Sequence, residues 1–219
     1  MVVFVQPTVT KRIAKDIPNI LPIYTSSESD YWYVMPVAEG IMEHMIKSND
    51  RLTDAVEFVL ELADTLVDLH NRGVSHRDIK PDNIYFYEGR CCLADFGIAG
   101  LSEQNERLTP SDKQLGAIFT ISPEMKRDPL HADGKKADVF SLAKTLWMLI
   151  RNDDKGFDGS YDRRNRSIGL SYTSECKGIH LVELEDLLED ATDTDPERRP
   201  DMNKFAHRLK IWQEICQDN

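Results

Sequence analysis

The stretch HRDIKPDN, residues 76–83, is the most informative part of this sequence. It gathers two acids, three basic side chains, an amide and a proline into eight residues that contain one apolar side chain, Ile79. A segment with apolar residues at helical spacing, residues 51–73, precedes it, and a strand-rich segment, residues 84–97, follows it. We therefore predict a polar turn that links a long helix to a β-hairpin.

A second carboxylate, Asp95, follows Asp78 by 17 residues and lies at the end of the predicted hairpin. Because a hairpin brings its two ends together, we expect Asp78, Asn83 and Asp95 to meet in one cleft. Oxygen ligands from Asn83 and Asp95 suit Mg²⁺, which prefers one or two carboxylates together with substrate phosphates. In such a cleft Asp78 can accept a hydroxyl proton, and Lys80 can neutralise a phosphoryl oxygen.

Composition limits the classes of function. The 219 residues carry a formal net charge of -11 at pH 7, and the absence of a broad cationic surface argues against nucleic-acid or membrane partners. The four cysteines have the spacing of neither a disulfide framework nor a zinc site. The apolar start, MVVFV, is too short for a signal peptide or a membrane span. We expect a cytoplasmic protein with reduced thiols.

The remaining pattern predicts a small β region followed by a mostly helical body. Apolar and aromatic runs at residues 19–25 and 31–37 predict a hairpin around SSESD, to which MVVFV could add one strand. Helical periodicity predicts helices at residues 51–73, 137–151, 180–192 and 201–215. Asp138 is expected to open the second of these helices, and the charged residues 152–178 are expected to form a surface excursion. The acidic run at residues 183–190 is expected to be a solvated helix face.

Taken in order, these motifs resemble the protein kinase family. HRDIKPDN is similar to the catalytic loop of that family, and Asp95-Phe96-Gly97 is similar to its metal-binding turn. Further similarities are YWYVMPVAEG (31–40) to the last upper-lobe strand and hinge, Ser122-Pro123-Glu124 to the end of the activation segment, and ADVFSLA (137–143) to the central lower-lobe helix. The resemblance also implies that Arg199, in DPERRP, pairs with Glu124. Six motifs in the family's order make the resemblance specific.

The resemblance implies an α+β, protein-kinase-like fold with a truncated β upper lobe at residues 1–38 and a mostly helical lower lobe at residues 39–219. It implies ATP and Mg²⁺ as cofactors, with adenine at the carbonyl of Pro36 and the amide of Ala38 and with Met35 at the back of the pocket. The form KPDN implies a Ser or Thr hydroxyl of a protein substrate as the phosphoryl acceptor.

The same resemblance assigns a role to each candidate residue. The implied catalytic residues are Asp78, Lys80 and Asn83; the implied nucleotide-binding residues are Pro36, Ala38, Lys80, Asn83 and Asp95; the implied metal ligands are Asn83 and Asp95. Arg77 implies control by a phosphate on the activation segment, for which Ser102, Thr109 and Ser111 are candidates. His76 is expected to pack beside Phe96. The other histidines are expected to be packed or exposed side chains and not ligands.

Departures from the family pattern leave two functions open. The glycine-rich loop, the strand lysine and its paired glutamate should precede residue 19, yet the first glycine is Gly40 and residues 1–15 contain no Glu. Ala117 follows Gly116 where serine/threonine kinases usually carry Thr, and Ala143 stands where the central helix usually carries Gly. The first function is an ATP-dependent serine/threonine kinase whose upper lobe is completed by upstream residues or a partner. The second is a non-catalytic, kinase-like (pseudokinase) module that binds a partner or a nucleotide.

Overall fold

The computed structural model describes residues 2–3, 17–27, 32–96, 100–101, 119–174, 176 and 179–217. Over these residues the chain forms small antiparallel sheets and a larger helical body, which confirms the predicted α+β class. None of the helices in these ranges is both long enough and apolar enough to cross a membrane.

The first sheet contains strands β1 (Val2–Val3), β2 (Thr25–Ser27) and β3 (Trp32–Val34), in the order β1-β3-β2. Both pairings are antiparallel, and Tyr33 lies opposite Val3 on one side and Ser26 on the other. The predicted hairpin therefore forms, and the apolar start of the chain adds a third strand to it.

The first strand of this hairpin begins later than predicted. Residues 21–24 lie outside any strand, although the amide of Leu21 donates to the carbonyl of Leu93 at 2.8 Å. Pro18 and Pro22 account for the difference, because proline has no N–H to contribute to a ladder. Residues 19–24 instead connect the first sheet to the second.

The second sheet contains β4 (Glu39–Gly40), β6 (Ile84–Tyr87) and β7 (Arg90–Leu93), in the order β4-β6-β7. Its hairpin turns at Glu88 and Gly89, which both have positive φ angles, as the tightest hairpin turns require. This is the hairpin predicted after the HRDIKPDN stretch. A separate pair joins β5 (Val74–Ser75) to β8 (Gly100–Leu101).

Helices form the body of the molecule. They are α1 (Ile41–Met45), α2 (Arg51–Asn71), α3 (Pro123–Arg127), α4 (Gly134–Arg151), α5 (Val182–Ala191) and α6 (Met202–Gln217), with short 3₁₀ turns at Pro81–Asn83, Leu170–Tyr172 and Pro196–Arg198. One hydrophobic core joins α2, α4, α5 and α6, and Trp147 and Trp212 lie in it. Ala143 is also fully buried there, so the core accommodates its methyl group.

The prediction that Asp138 opens helix α4 is wrong. The helix begins one turn earlier, where the side chain of Asp133 caps it by accepting hydrogen bonds from the amides of Lys135 and Lys136. Asp138 is fully buried inside the helix and serves the candidate site described below.

The expected surface excursion at residues 152–178 also contains core. Phe157, Tyr161, Ile168 and Leu170 are buried, and the indole of Trp147 donates to the carbonyl of Ile168 at 2.6 Å. The intervals between these residues mix helical spacing with strand spacing, so their burial gives no single periodic signal in the sequence.

The acidic run of helix α5 is likewise not wholly solvated. Glu185 is buried, and its Oε1 accepts a hydrogen bond from the hydroxyl of Tyr161 at 2.8 Å. A buried carboxylate with such a partner is a structural link between helix α5 and the segment that follows helix α4.

Candidate active site

The backbone of the HRDIKPDN stretch is held by the buried carboxylate of Asp138. Its oxygens accept hydrogen bonds from the amide of His76 at 2.8 Å, from the amide of Arg77 at 2.7 Å and from Nε2 of His70 at 2.9 Å. Arg77 has a φ of 69°, a conformation that non-glycine residues rarely adopt and that these bonds stabilise. The loop is therefore fixed directly before Asp78.

Gly134 allows helix α4 to approach this loop closely. A Cβ atom at this position would lie 2.2 Å from Oγ of Ser75 and 2.7 Å from Nε of Arg77. Any larger residue would push the start of α4 away from the loop, so glycine is required by space and not by its φ angle.

Asp78, Lys80 and Asn83 form one hydrogen-bonded group. Nζ of Lys80 donates to both carboxylate oxygens of Asp78, at 3.0 and 2.8 Å. Nδ2 of Asn83 donates to the carbonyl of Asp78 at 2.8 Å and to its Oδ2 at 2.9 Å. The Asp78 side chain remains 19% exposed, so the carboxylate is oriented by two neighbours and is still accessible from solvent.

The β6–β7 hairpin brings Asp95 next to this group. Ile84 lies opposite Leu93, and the amide of Ala94 donates to the carbonyl of Asn83 at 2.9 Å. Asp95 is the next residue, with a φ of 61° that turns the chain at this point. The structure thus brings the two ends of the hairpin together, as the spacing from Asp78 to Asp95 predicts.

The negative charge of Asp95 affects the pKa values of two tyrosines. Burial, followed by the negative charge of Asp95, raises the pKa of Tyr33 on β3 and the pKa of Tyr85 on β6. Asp95 therefore lies at a point where both sheets face it. These two phenols were not predictable from the sequence, because each lies in an ordinary strand pattern.

The residues present fit a magnesium ion. Both side-chain bonds of Asn83 use its nitrogen, so its Oδ1 is directed elsewhere, and Asp95 adds a carboxylate one hairpin pair away. Oxygen donors of this kind suit Mg²⁺, which completes its shell with water and phosphate. Among the described residues there is no group of three or more His, Cys, Asp or Glu that could hold a metal. These residues therefore offer a metal site with few protein ligands.

His76 has the expected structural role. Its ring is fully buried, lies 4.5 Å from the ring of Phe96 between centroids, and is 3.1 Å from the carbonyl of Ala94 through Nε2. The ring therefore connects the loop to the residues on either side of Asp95.

The predicted hinge residues lie in the connection between β3 and β4. Pro36 is buried, Val37 is 90% exposed, and Ala38 packs against a small hydrophobic cluster that contains Met35 and Ala94. Since Ala94 precedes Asp95, the hinge and the Asp95 turn share one cluster of side chains.

Some expected features lie outside the described residues. They are most of the N-terminal segment in which the paired glutamate of the family is expected, the last residue of the metal-binding turn, the candidate phosphorylation sites and the Gly116-Ala117 pair. Arg77 is described, and its guanidinium contacts Oγ of Ser75 at 3.3 Å and the carbonyl of Pro129 at 3.4 Å.

The predicted pair of Glu124 and Arg199 is confirmed. The guanidinium donates two parallel bonds to the carboxylate, at 2.6 and 2.8 Å, and the Arg199 side chain is fully buried. Burial has the largest single effect and would raise the pKa of Glu124, but the hydrogen bonds and positive charge of Arg199, together with further hydrogen bonds to the carboxylate, outweigh it and the pKa is lowered. Arg199 also donates to the carbonyls of Asp193 and Lys136, so it ties α3, α4 and the turn before α6 together.

Comparison with known proteins identifies the family. A profile described as "Protein kinase domain" matches residues 8–209. The chain belongs to the protein kinase family. Its protein-kinase-like fold, with few strands and a mostly helical body, agrees with the sequence prediction.

Several kinases are similar to this one. A Wee1-like protein kinase of Arabidopsis thaliana is 32% identical over 188 residues, which are 83% of this chain and 35% of that protein. The serine/threonine-protein kinase PrkC of Bacillus subtilis (strain 168) is 33% identical over 141 residues, 62% of this chain and 21% of that protein. CBL-interacting protein kinase 28 of Oryza sativa subsp. japonica is 26% identical over 193 residues, which are 86% of this chain and 44% of that protein. This chain spans less than half the length of each of these relatives.

Proposed function

We propose that this chain transfers a phosphoryl group from ATP to a Ser or Thr hydroxyl of a protein substrate. The observation that supports the proposal most strongly is the bonded group of Asp78, Lys80 and Asn83, with Asp95 brought next to it by the hairpin. A loop residue used only for structure would not need a carboxylate that is oriented by two partners and still reached by solvent.

Each residue has a defined role in this proposal. Asp78 accepts the proton of the attacking hydroxyl, and Lys80 and Asn83 hold its carboxylate in one orientation. Asn83 Oδ1 and Asp95 would hold Mg²⁺, while the Pro36 carbonyl and the Ala38 amide would bind the adenine edge. Bound Mg²⁺·ATP would supply the phosphoryl group and neutralise its developing charge.

Lys80 can serve two groups in turn. In this structure both of its short bonds go to Asp78. Its ammonium has three donors, so it can keep one bond to Asp78 and direct another to a phosphoryl oxygen. Lys80 thereby links the proton acceptor to the group that is transferred.

We also propose the organisation around this site. Residues 1–38 would form the upper lobe and residues 39–219 the lower lobe. A partner or a further segment would complete the upper sheet, in which β1 and β2 each pair with β3 on one side among the described strands. The proposed location is cytoplasmic, and the proposed partner is a protein with a Ser or Thr acceptor.

A second candidate function is a kinase-like module that binds without transferring phosphate. One feature favours it: no glycine precedes Gly40 in the 219 residues, so they contain no glycine-rich loop to cover the phosphates. Removing a single preorganised contact of this kind typically lowers a rate by about 10²–10³-fold.

One comparison separates the two functions. Transfer of the ATP γ-phosphate to a mixed Ser/Thr peptide library is measured for the wild type, for Asp78→Asn and for Asp82→Asn. Asp82 is an exposed acid in the same stretch and serves as the matched control. We expect Asp78→Asn to lower the rate about 10²–10⁴-fold and Asp82→Asn to leave it nearly unchanged. Wild-type protein that binds Mg²⁺·ATP without any transfer would favour the second candidate.

A further inference from the structure

A cavity of about 220 Å³ lies between residues 119–123 and helix α4, away from Asp78 and Asp95. Its apolar wall includes Phe119, Ile121 and Phe140, and its charged groups are Lys126, Lys144 and Asp158. The protein as a whole has a net charge of -11, yet this cavity is lined by two lysine amines and one carboxylate. When both lysines are protonated, the local charge is opposite to that of the molecule.

Lys144 is an unusual residue for the interior of a helix. It is 2% exposed, and its Nζ donates to the carbonyl of Gly159 at 2.7 Å and to that of Phe157, whose ring centroid lies 3.3 Å away. Within the described part of the chain, no carboxylate lies within ion-pair distance of this ammonium. Two of the three N–H groups have these carbonyl partners, the ammonium lies over the Phe157 ring, and Lys144 is among the residues that line the cavity.

The charges around the cavity favour an anion. Burial, together with the nearby positive charge of Lys126, lowers the pKa of Lys144 to about 7, and Asp158 opposes that effect. An ammonium under these conditions is stabilised by any negative charge that enters the same space, and the apolar wall strengthens the attraction by excluding water.

Helix α4 relates the cavity to the candidate active site. Asp138 binds the loop before Asp78, Ser141 donates to the carbonyl of Thr120 at 2.8 Å, and Lys144 faces the cavity. Asp138 and Lys144 are six residues apart, so their side chains leave the helix in directions about 120° apart. Six residues of helix correspond to about 9 Å along the helix axis, which is the length of about three extended residues. On this axial distance, a peptide that presents its hydroxyl to Asp78 would have a residue about three positions away at the level of the cavity.

We propose that the cavity binds the carboxylate of an acidic side chain of the protein substrate, with Lys144 and Lys126 as its ligands. The volume is below the roughly 300–1,000 Å³ of pockets for drug-sized molecules, and it suits a single side chain or a small organic acid. The carboxylate chemistry follows from the cavity alone, whereas its source in a substrate rests on the proposed function.

The first experiment measures binding without any phosphoryl transfer. N-acetyl-glutamate N-methylamide and its glutamine counterpart have the same shape and differ in charge, and each is titrated into the protein and followed by NMR. We expect the glutamate compound to bind at least tenfold more tightly than the glutamine compound, because a hydrogen bond to a charged group contributes about that much to affinity. Lys144→Met should abolish this preference, and Lys126→Gln should reduce it several-fold.

Lys155→Gln is the control, because Lys155 is an exposed lysine outside the cavity. It should leave the preference unchanged. If Lys144→Met does not fold, the comparison of Lys126→Gln with Lys155→Gln still tests whether the cavity binds the carboxylate. Equal affinities for the two compounds, or equal effects of the two lysine variants, would overturn the proposal.

The second experiment identifies the source of the carboxylate. Peptides with one Ser and with Glu or Gln placed one to three residues from it are compared as substrates, and free glutarate is titrated in parallel. We expect the best Glu peptide to exceed its Gln counterpart by about tenfold in kcat/KM, and Lys126→Gln to remove that ratio. Tight glutarate binding with equal peptide rates would overturn the substrate assignment. Binding of the glutamate compound without transfer to any peptide would contradict the proposed function and support the carboxylate site.

Discussion

In the proposed function, the charge of Asp95 holds a divalent cation next to the Asp78 group. Replacing Asp95 with Asn keeps the shape and removes the charge. We expect wild-type protein to bind ATP more tightly with Mg²⁺ than without it, and Asp95→Asn to lose that difference, as measured by calorimetry in both conditions. Asp82→Asn, an exposed neighbour, should keep the Mg²⁺ dependence. An unchanged dependence in Asp95→Asn would remove the metal assignment.

Lys144 makes the stability of the protein depend on pH in a definite direction. Its pKa is lowered by burial from an ordinary value near 10.5 to about 7, so between these values the unfolded chain binds more protons than the folded one. The contribution of Lys144 to stability is therefore least favourable below about pH 7 and improves as the pH rises towards 10. Urea denaturation of wild type and Lys144→Met at several pH values should show that the unfolding free energy of the wild type rises relative to that of the variant across this range. A difference in unfolding free energy that stays constant with pH would contradict this prediction.

At the scale of elements, the Glu124–Arg199 pair joins α3, α4 and the turn before α6. Arg199→Ala leaves a half-buried carboxylate without its partner, and breaking a buried pair in this way costs roughly 3–5 kcal/mol of unfolding free energy. Arg198→Ala is the matched control, since the Arg198 side chain is 74% exposed and its ion pair with Asp193 spans 3.7 Å. Asp78→Asn should also lower the unfolding free energy far less than Arg199→Ala does, because the Asp78 carboxylate lies at an accessible site. Equal melting temperatures for Arg199→Ala and these two variants would exclude a supporting role for the pair.

The same elements show what the sequence could and could not predict. The β6–β7 hairpin was predictable because its turn at Glu88-Gly89 and its apolar strands are local signals, and it fixes the position of Asp95 relative to Asn83. The anchoring role of Asp138 was not predictable from local pattern, because an Asp early in a helix commonly acts as a cap. Its partners lie about 60 residues earlier in the chain. Lys144 was missed for a related reason, since a lysine in an apolar helix looks like an exposed residue until the opposing loop is known.

At the scale of the whole molecule, the hydrophobic side chains divide into two clusters of unequal size. The smaller contains Leu21, Tyr33, Met35, Cys92 and Ala94, and the larger joins the four long helices. A sheet of two- and three-residue strands is marginal by itself, so the smaller cluster should open at a lower free energy than the helical body.

Native-state hydrogen exchange at increasing urea measures this difference directly. We expect the amide of Tyr33, in the middle of β3, to exchange through a partial opening with a small urea dependence, while the amide of Leu66 in α2 exchanges through global unfolding. The amide of Leu93, which donates to the carbonyl of Asn19 at 2.8 Å, reports the junction between the two clusters. If Leu93 follows Leu66, the β6–β7 hairpin and its Asp95 belong energetically to the helical body, and the proposed boundary near residue 38 separates two units. If Tyr33, Leu93 and Leu66 all show one opening free energy, the molecule unfolds as a single unit and the proposed division into lobes has no energetic counterpart.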